Sequence, residues 1–512
     1  NNFFNNTINA MDSGSNKWSI EKQIGTNIIN GPFLGGNFWS DYNGIDLDED
    51  MIGDTLLPYN SNGNIANEGD FLPLKISSPC IPNIIQSTIL TSDLICNRDG
   101  LIIGSDNIVL DCDGHSITGS GFLSGISSNK RNITIKNCII QNFYNGIVFI
   151  STIQSSLINN TVQNNVNDGF HLEDSSFNTL TSNIAQDNKG NGFGFLSSHF
   201  STITFNIARS NGKDGFFSSN SSYNNFTNNT AQYNNAYGFR LEFSSIYNNL
   251  TSNIVENNIN AGFLLESSSN NNMISNIANN NNQYGFFISS SSFNTLINNS
   301  AQINRIHGFK ILFSNYNILS SNTAQKNVDN GFYLTSSSFN RLEYNIAKDN
   351  QNGFAFTSSQ NNSLISNIAQ ANRGNGFGFL SSHFNTFIFN NAQSNGKDGL
   401  TLYGSSYNIL ENNTSQNNGV NGFHLEFSST YNNLTFNTAQ NNGQGGFSID
   451  HGYTFPLSPS DHNILTNNTV QYNTYGFNIF LSSFNILTSN IVQNNIDGIR
   501  IESSSSHILT SN

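Results

Sequence analysis

Residues 169–188 of the chain read GFHLEDSSFNTLTSNIAQDN, and closely similar stretches return along most of the sequence. The pattern reappears as GFFSSNSSYNNFTNNTAQYN from Gly215 and as GFHLEFSSTYNNLTFNTAQNN from Gly422. Phe170 and Leu172 alternate with polar residues, and the later apolar positions are isolated by Ser, Thr and Asn. No apolar segment has the length or spacing of a helix. Each unit therefore predicts three short β-strands.

A glycine opens each unit, and the spacing of these glycines gives the period. The sequence numbers of successive glycines differ by 22, 23 or 24, and only Gly446 and Gly476 are further apart. The glycines are Gly146, Gly169, Gly192, Gly215, Gly238, Gly262, Gly285, Gly308, Gly331, Gly353, Gly376, Gly399, Gly422, Gly446, Gly476 and Gly498. A fixed period in this range indicates a solenoid, and the signature of leucine-rich repeats is absent. We therefore predict a parallel β-helix, in which coils about 4.8 Å apart place each residue above its counterpart.

Three residue columns have structural roles in such a coil. The opening glycine is expected to take a positive φ or to allow a tight turn into the strand. Aromatic residues such as Phe177, Phe200 and Tyr223 share a position where rings can stack in an offset manner. An Asn recurs at one bend, where amides can form a ladder along the axis and tolerate a left-handed backbone. The predicted ladder comprises Asn160, Asn183, Asn206, Asn229, Asn253, Asn276, Asn299, Asn322, Asn345, Asn367, Asn390, Asn413, Asn437, Asn468 and Asn490.

The sequence also contains a longer repeat that spans several of these units. GNGFGFLSSHF begins at Gly190 and again at Gly374, and NGKDG begins at Asn211 and again at Asn395. Both pairs are the same distance apart (374 − 190 = 395 − 211 = 184), which equals eight coils of 23, so a block of eight coils is duplicated. A catalytic centre gains little from such copying, whereas a spacer or a multivalent surface gains reach with every copy.

The composition excludes several classes of partner. Charged residues are 10% of the chain and the net charge is −14, with no Lys/Arg cluster, which argues against nucleic acid and anionic membranes. Asn makes up roughly a fifth of the chain, but 42 Phe and 17 Tyr argue against disorder. No apolar run has the length of a membrane span, and the first residues lack the features of a signal peptide. The chain starts and stops within its pattern, so we expect the natural protein to extend further.

The cysteines and sequons favour an extracellular location. Four Cys within one short region suit one or two disulfides of a secreted domain. Of the three possible connectivities, Cys80 with Cys96 and Cys112 with Cys138 is preferred. Candidate glycosylation sites occur at Asn132, Asn225, Asn249 and Asn433.

Two stretches carry a family resemblance. CIPNIIQSTILTSDLICNRDGLIIGSDNIVLDCDGHSITGSG, residues 80–121, followed by NITIKNCIIQNFYNGI, resembles the first coils of right-handed parallel β-helix proteins of the pectin-lyase-like kind. GPFLGGNFWSDYNGIDLDEDMIGDTLLPYN, residues 31–60, is similar to the module that closes NosD-type β-helix domains in archaeal surface proteins. The resemblance implies a right-handed β-helix over nearly the whole chain and an archaeal source, and it is weak for function.

The repeat and the resemblance together predict the domain organisation. Residues 1–78 are expected to end an upstream β-helix unit, residues 79–145 to form first coils with the cysteines, and residues 146–512 to form regular coils. An insertion is expected near residues 453–461. Asn512 sits at the ladder position, one coil after Asn490, so we expect a truncated or open end that invites further pairing.

The strongest candidate for a cation site is the acidic loop of Asp46, Asp48, Asp50 and Asp54. Carboxylates at positions one, three, five and nine of a loop suit the oxygen coordination of Ca²⁺. Met51 and Leu57 depart from the usual calcium loop, in which a Gly and a bidentate acid stand at those positions. The alternative is an acidic, solvated loop. Asp41 and Asp70 are possible extra ligands.

Charged pairs recur on the outward face of the strand that follows each glycine. The pairs are His171 with Glu173, Arg240 with Glu242, His424 with Glu426, and Arg500 with Glu502. Polysaccharide lyases of the β-helix kind hold substrate on this face, so a lyase or epimerase using His171, Glu173 and Asp174, or His424 and Glu426, is an alternative. Because no coil supplies both a cluster of acids and a nearby base, we interpret the pairs as solvated ion pairs.

The NosD resemblance raises copper as a further alternative. A copper site needs grouped His, Met or Cys, whereas the 3 Met are few and the 9 His are scattered. His199 and His383 are equivalent but eight coils apart. The insertion could place Asp450, His451, Asp461 and His462 together at a metal, although their spacing is not diagnostic and favours a decorated loop.

The sequence thus predicts a structural or adhesive β-helix segment of a cell-surface, sheath or fibre protein. Its expected partners are copies of itself or adjoining β-helix units, and glycans that make weak contacts. The alternatives are the polysaccharide-active enzyme and the copper-handling protein, and the only expected cofactor is Ca²⁺.

Overall fold

The computed structural model describes residues 1–4, 6–29, 31–48, 50–75, 80, 83–96, 99–452 and 458–512. The chain divides into two compact units, one of Asn1–Cys80 and Leu94–Asn97, the other of Ile81–Asp93 and Arg98–Asn512. The boundary predicted at residue 78 lies outside the described residues. Residues 453–457 of the predicted insertion also lie outside them, so the domain limits stay predictions.

The second unit is the predicted right-handed parallel β-helix, with about 18 coils of parallel strands in three sheets. Sheet 1 follows the coil-opening glycines, and sheets 2 and 3 supply the two shorter strands of each coil. Strands pair in register with their counterparts one coil away, as Phe286 pairs with Phe309 and Leu296 with Leu319. The predicted fold class is confirmed.

The strands of sheet 1 are Asn83–Ile84, Leu101–Ile103, Ser124–Ser128, Asn145–Ile150, Phe170–Glu173, Phe193–Leu196, Phe216–Ser219, Phe239–Glu242, Phe263–Glu266, Phe286–Ser289, Phe309–Leu312, Phe332–Thr335, Phe354–Thr357, Phe377–Leu380, Leu400–Tyr403, Phe423–Glu426, Gly445–Ile449, Tyr475–Phe480 and Asp497–Glu502. The strands of sheet 2 are Thr88–Ile89, Val109–Asp111, Thr134–Lys136, Ser156–Ile158, Thr179–Thr181, Thr202–Thr204, Asn225–Thr227, Asn249–Thr251, Asn272–Ile274, Thr295–Ile297, Ile318–Ser320, Arg341–Glu343, Ser363–Ile365, Thr386–Ile388, Ile409–Glu411, Asn433–Thr435, Ile464–Thr466, Ile486–Thr488 and Ile508–Thr510. The strands of sheet 3 include Ser116–Thr118, Ile139–Gln141, Thr161–Gln163, Ile184–Gln186, Ile207–Arg209, Thr230–Gln232, Ile254–Glu256, Ile277–Asn279, Ser300–Gln302, Thr323–Gln325, Ile346–Lys348, Ile368–Gln370, Asn391–Gln393, Thr414–Gln416, Thr438–Gln440, Thr469–Gln471 and Ile491–Gln493.

The core of the solenoid is a set of apolar columns, one or two from each sheet. In one coil Phe286 and Ile288 from sheet 1, Leu296 from sheet 2 and Ala301 from sheet 3 are all fully buried. The rings of sheet 1 stack on one another, with centroids 4.7 Å apart between Phe286 and Phe309. The sheet 3 column opposite these rings carries small side chains, alanine in most coils and valine at Val255.

Four polar ladders line the corners between the sheets. The predicted Asn ladder is confirmed: the side chain of Asn299 donates to the side-chain oxygen of Asn322 at 3.0 Å, and it accepts the backbone N–H of Asn276 at 2.9 Å. Two further Asn ladders and one Ser ladder run beside it, represented by Asn294, Asn304 and Ser291 in the same coil. Because buried backbone groups need partners, these ladders let the chain turn inside the core three times per coil.

Glycine is required at the start of the coils because a larger residue would have no room for its Cβ. The φ angles of these glycines are not positive, so of the two roles expected from the sequence the left-handed backbone conformation does not apply. A Cβ on Gly308 would lie 2.7 Å from the carbonyl oxygen of Gly331 and 2.8 Å from the Cβ of Ala324. The glycine column therefore permits the close approach of successive coils at the edge of sheet 1.

The left-handed backbone falls on other residues. The residue just before the ladder Asn takes it, as Asn298 does with φ 55°, and so does the aromatic column, as Phe293 does with φ 58°. The predicted ring stack is present there: the centroid of Phe200 lies 5.0 Å from that of Phe177 and 4.8 Å from that of Tyr223. Neighbouring rings cover both faces of such an interior ring, so a sugar can reach only its edge.

The first unit contains short strands around an aromatic core. Asn2–Phe3 pairs in parallel with Phe38–Trp39, and Gln23–Ile24 pairs antiparallel with Phe33–Leu34. The strand Leu94–Ile95 also belongs to this unit. Trp39, Tyr42 and Tyr59 are buried at the centre, and the indole of Trp39 donates to the fully buried carboxyl of Asp70.

The structure pairs Cys80 with Cys96 in the first unit and Cys112 with Cys138 in the second. Within the described residues, no helix has the length and apolar character needed to cross a membrane.

Candidate functional site: charged clusters on the outer face of sheet 1

The strands of sheet 1 alternate between the core and the outer face. In Phe423–Glu426 the side chains of Phe423 and Leu425 are buried in the core, while His424 and Glu426 point outward. Parallel stacking places residues of the coils before and after within reach of these two side chains. The partners of an outward residue therefore come from other coils as well as from its own strand.

His424 is the centre of an acidic cluster, referred to below as the His424 cluster: His424, Asp398, Glu426 and Asp450. Its Nδ1 lies 3.1 Å from a carboxylate oxygen of Asp398, and its Nε2 lies 2.9 Å from a carboxylate oxygen of Asp450. The carboxylate of Glu426 lies 4.0 Å from Nε2. The predicted solvated pair of His424 with Glu426 is thus a longer contact within a mostly buried cluster.

Burial and hydrogen bonding act in opposite directions on this cluster. Burial alone would lower the pKa of His424, but the hydrogen bonds and charges of Asp398 and Asp450 raise that pKa well above its usual value. Burial raises the pKa of Glu426. The imidazole is accordingly held as a cation between two carboxylates.

A second cluster of the same construction lies eight coils earlier, and we refer to it as the Arg240 cluster: Asp214, Arg240, Glu242 and Glu266. Each member corresponds to one member of the His424 cluster at the offset of the duplicated block. The Nη2 of Arg240 lies 2.5 Å from Glu242 and 3.6 Å from Glu266. Both copies therefore have three carboxylates around a cation, which is guanidinium in one copy and imidazole in the other, and Glu266 of the first copy corresponds to the shorter Asp450 of the second.

The buried carboxyl of Asp214 is expected to lower the free energy of unfolding in a pH-dependent and measurable way. Burial raises its pKa to about 6, although it accepts the backbone N–H of Tyr237. The folded protein then binds a proton more tightly than the unfolded chain, so stability falls as the pH rises from about 4 to about 6. The change Asp214→Asn retains the hydrogen-bond acceptor and is expected to raise the free energy of unfolding at pH 7 by about 2–3 kcal/mol.

The measurement is denaturant unfolding of both proteins between pH 4 and pH 7. The gain from Asp214→Asn should vanish near pH 4. The exposed carboxylate Asp187 gives the control, because Asp187→Asn removes one charge without any buried acceptor. A gain from Asp214→Asn that is the same at pH 4 and pH 7 would contradict the assignment.

A groove beside the His424 cluster opens onto the same face. It encloses about 320 Å³. Its lining residues are Asp450, His451, Gly452, Asn478, Phe480, Arg500 and Glu502. Arg500 forms the predicted pair with Glu502 at 2.7 Å and also donates to the hydroxyl of Tyr475 at 2.9 Å. The groove therefore combines carboxylates, one guanidinium, an amide and an aromatic ring.

The other predicted catalytic set lies far from this groove. His171 contacts Asp168 at 3.0 Å and Glu173 at 3.7 Å, and the hydrogen bond with Asp168 raises the pKa of His171. Asp174 is exposed at the turn after the strand, with φ 48°. Eleven coils separate these residues from His424, so the two predicted sets are separate places on one face.

A cluster that the sequence reading missed surrounds Lys310. Its Nζ lies 3.6 Å from the ring centroid of Tyr333 and donates to Thr335, and His307 stacks on Tyr284. Burial lowers the pKa of Lys310 to about 8 and that of His307 to about 3. The sequence offered one signal for this cluster: Tyr284, Lys310 and Tyr333 lie at outward-facing positions in three consecutive coils.

The acidic loop of the first unit is partly assembled. Carboxylate oxygens of Asp46, Asp48 and Asp50 lie within 4.8 Å of one another. Lys22 forms ion pairs with Asp48, at 3.8 Å, and with Asp50. Asp54 accepts the backbone N–H of Leu47, and it does not join the group. Calcium at this loop stays a prediction.

The remaining predicted ligands have other partners. Asp41 accepts from Tyr59 at 2.7 Å, and Asp70 accepts from Trp39. In the insertion, Asp450 joins His424, whereas His462 stacks on Tyr431 and Asp461 accepts the backbone N–H of Ser483. The metal set of Asp450, His451, Asp461 and His462 is therefore not brought together.

His199 and His383 have the same structural role in the two copies of the block, because each Nδ1 accepts a backbone N–H one coil later. The four candidate glycosylation sites are exposed and remain predictions; they are Asn132, Asn225, Asn249 and Asn433.

Comparisons with known proteins agree with this architecture. The family model described as periplasmic copper-binding protein (NosD) matches residues 1–44, 86–283 and 345–455, and the model of the right-handed β-helix region matches residues 275–392. No curated protein matches the chain significantly.

Several solved structures match much of the chain at low sequence identity and low TM-score. The periplasmic alginate epimerase AlgG is 14% identical, with 76% of this chain and 77% of that chain covered and a TM-score of 0.32. The A-module of the Azotobacter vinelandii mannuronan C-5 epimerase AlgE4 is 13% identical, with 82% and 91% covered and a TM-score of 0.29. Tailspike protein 3 of bacteriophage CBA120 is 10% identical, with 74% and 56% covered and a TM-score of 0.29.

Proposed function

The chain belongs to the NosD family, and we propose that it is an extracytoplasmic structural β-helix, a spacer within a cell-surface, sheath or fibre protein. One observation carries this proposal. The Asn ladder runs without a break from Asn160 to Asn490, with each side-chain oxygen accepting the backbone N–H of the preceding ladder Asn. A spacer requires such uniformity, because every coil must transmit the same contacts to the next.

Two features support the extracytoplasmic location. Both pairs of cysteines form disulfides, which persist in oxidising compartments. The family to which the chain belongs is described as periplasmic. Glycans remain the expected partners, and they would contact the polar outer face of sheet 1 near the groove rather than the covered rings of the aromatic stack.

A polysaccharide-active enzyme is the second candidate, favoured by the groove next to the His424 cluster. Asp450 and Glu502 supply carboxylates there and Arg500 supplies a fixed cation that suits a uronate. His424 itself is a poor general base, because two carboxylates hold it protonated.

The family description also implies copper, and the described residues fit it poorly. All four cysteines are in disulfides. Of the two groups of described residues able to hold an ion, one contains a single His with two carboxylates and the other contains three Asp. Copper(I) favours thiolate and thioether ligands. No copper chemistry is derived for this chain.

One experiment distinguishes the spacer from the enzyme. The full chain is incubated with polyuronates and neutral polysaccharides, and the products are followed by chain length, ultraviolet absorbance of unsaturated ends and NMR of sugar configuration. The spacer leaves every polysaccharide unchanged, although immobilised polysaccharide can retard it weakly. Turnover that is lost on Asp450→Asn and kept on the distant Asp187→Asn would replace the spacer with the enzyme.

A further inference from the structure

The two charged clusters are copies of one arrangement, so their difference is informative. Around Arg240 the three carboxylates have a permanent cation, since guanidinium stays protonated in proteins. Around His424 the same three carboxylates surround an imidazole, which can lose its proton and then offer a nitrogen lone pair. The second copy therefore has a potential ligand where the first has a permanent cation, and both copies carry the negative charge that a cation balances.

The geometry of the His424 cluster matches that of a metal site with one imidazole ligand. Ligand atoms of His424, Glu426 and Asp450 all lie within 4.8 Å of one another. The other ring nitrogen of His424 faces Asp398 at 3.1 Å. Metal-ligating His residues almost always donate their second N–H to a carboxylate or carbonyl, which fixes the ring orientation. Asp398 stands at that position and is itself held by Thr401 and by the backbone N–H of Asn421.

Glu426 provides an independent indication. The side chain of Glu426 is 20% exposed, and no hydrogen bond from the described residues is donated to it; its ion-pair contact is with Nε2 of His424 at 4.0 Å. The protonated imidazole of His424 is already shared between Asp398 and Asp450, so Glu426 is the carboxylate of the cluster whose charge a bound metal ion would balance. The groove next to Asp450 leaves room for the water or ligand that completes the coordination of an open site.

We infer that His424, Glu426 and Asp450 bind Zn²⁺, an ion that suits one imidazole and two carboxylates. Asp398 is a positioning residue that orients the imidazole. Binding releases the second ring proton of His424 to solvent, and the ion replaces it as the cation between the carboxylates.

Zn²⁺ titration of the full chain tests this inference, followed by calorimetry and by X-ray absorption at the zinc edge. All proteins carry Asp48→Asn, which removes the acidic loop of the first unit as a competing site. The parent is expected to bind one Zn²⁺ in a nitrogen and oxygen environment. His424→Arg introduces the cation of the Arg240 cluster at the equivalent position, so it should keep the fold and lose the site, with affinity lowered at least about 100-fold.

Two further variants are expected to change the affinity or the stoichiometry of Zn²⁺ binding, which a purely structural role of the cluster would leave unchanged. Asp398→Asn should keep the stoichiometry of one and weaken binding about 10- to 100-fold, as expected for a partner of the ligand. Arg240→His should raise the stoichiometry from one to two, because Glu242 and Glu266 correspond to Glu426 and Asp450. Equal Zn²⁺ binding by the parent and by His424→Arg, or no binding by the parent, would overturn the inference. A stoichiometry of one for Arg240→His would overturn the argument from the duplicated carboxylates.

Discussion

Replacement of Asn299 by alanine is expected to destabilise the coils around it by about 5 kcal/mol. The side chain of Asn299 donates to the carbonyl of Met273 at 2.8 Å and to Asn322, and it accepts both the backbone and the side-chain N–H of Asn276. Alanine leaves the buried backbone N–H of Asn276 without a partner, which costs about 1–3 kcal/mol, and it removes the side-chain donor to the carbonyl of Met273. The lost side-chain bonds and the vacated volume add to this.

Hydrogen exchange in the native state measures the effect where it occurs, because a solenoid opens locally rather than as one unit. Amide protection should fall over the coils from Met273 to Asn322 and stay unchanged near Asn437. Asn298→Ser is the matched control: Asn298 is the exposed neighbour of Asn299, and Ser275 and Ser321 occupy its column in the adjacent coils. Equal loss of protection in both variants would contradict a special role for the ladder.

Replacement of Phe309 by alanine is expected to cost about 4 kcal/mol. The ring is fully buried and stacks between Phe286 and Phe332, with centroids 4.7 Å away on each side. Alanine removes both stacking contacts and leaves a cavity, which parallel coils fixed by ladders cannot close easily. Denaturant unfolding and exchange at sheet 1 report the loss.

The exposed aromatic column supplies the control for Phe309. Phe293 stacks on Tyr316 at 5.1 Å, but 57% of its surface is exposed. Asn270 holds the equivalent position one coil earlier with φ 60°, so Phe293→Asn keeps a side chain that tolerates the left-handed backbone. We expect a loss of about 1 kcal/mol from one aromatic contact. A loss as large as that of Phe309→Ala would mean that the outer stack, and not the core, holds the coils together.

The period, the three strands and the first Asn ladder could be predicted because stacked coils place equivalent residues above one another. The other two Asn ladders were readable from the same pattern: Asn178 and Asn188 flank the predicted Asn183 in their coil, and Asn recurs in both columns, although Ser201 follows Asn178 in the next coil. They were missed because a sequence pattern carries no measure of burial. The positive φ of the aromatic column was hidden for a related reason, since the turn geometry decides it and residue type does not.

The His424 cluster shows why the site was harder to predict than the fold. Pairs within one strand, such as His424 with Glu426, are visible in the sequence, whereas Asp398 and Asp450 each lie 26 residues from His424 and meet it only when coils stack. One signal was available. The eight-coil offset of the duplicated block relates all four members to Asp214, Arg240, Glu242 and Glu266, so the duplication marked the cluster before any geometry was known.

Extension of single molecules held at their two ends tests the spacer most directly. If axial ladders join every coil to the next, the solenoid should resist extension and then release coils in steps of about 80 Å, the length of about 23 extended residues. Asn299→Ala should lower the release force for the neighbouring coils only. Extension of the whole solenoid in one low-force event, unaffected by Asn299→Ala, would contradict the account.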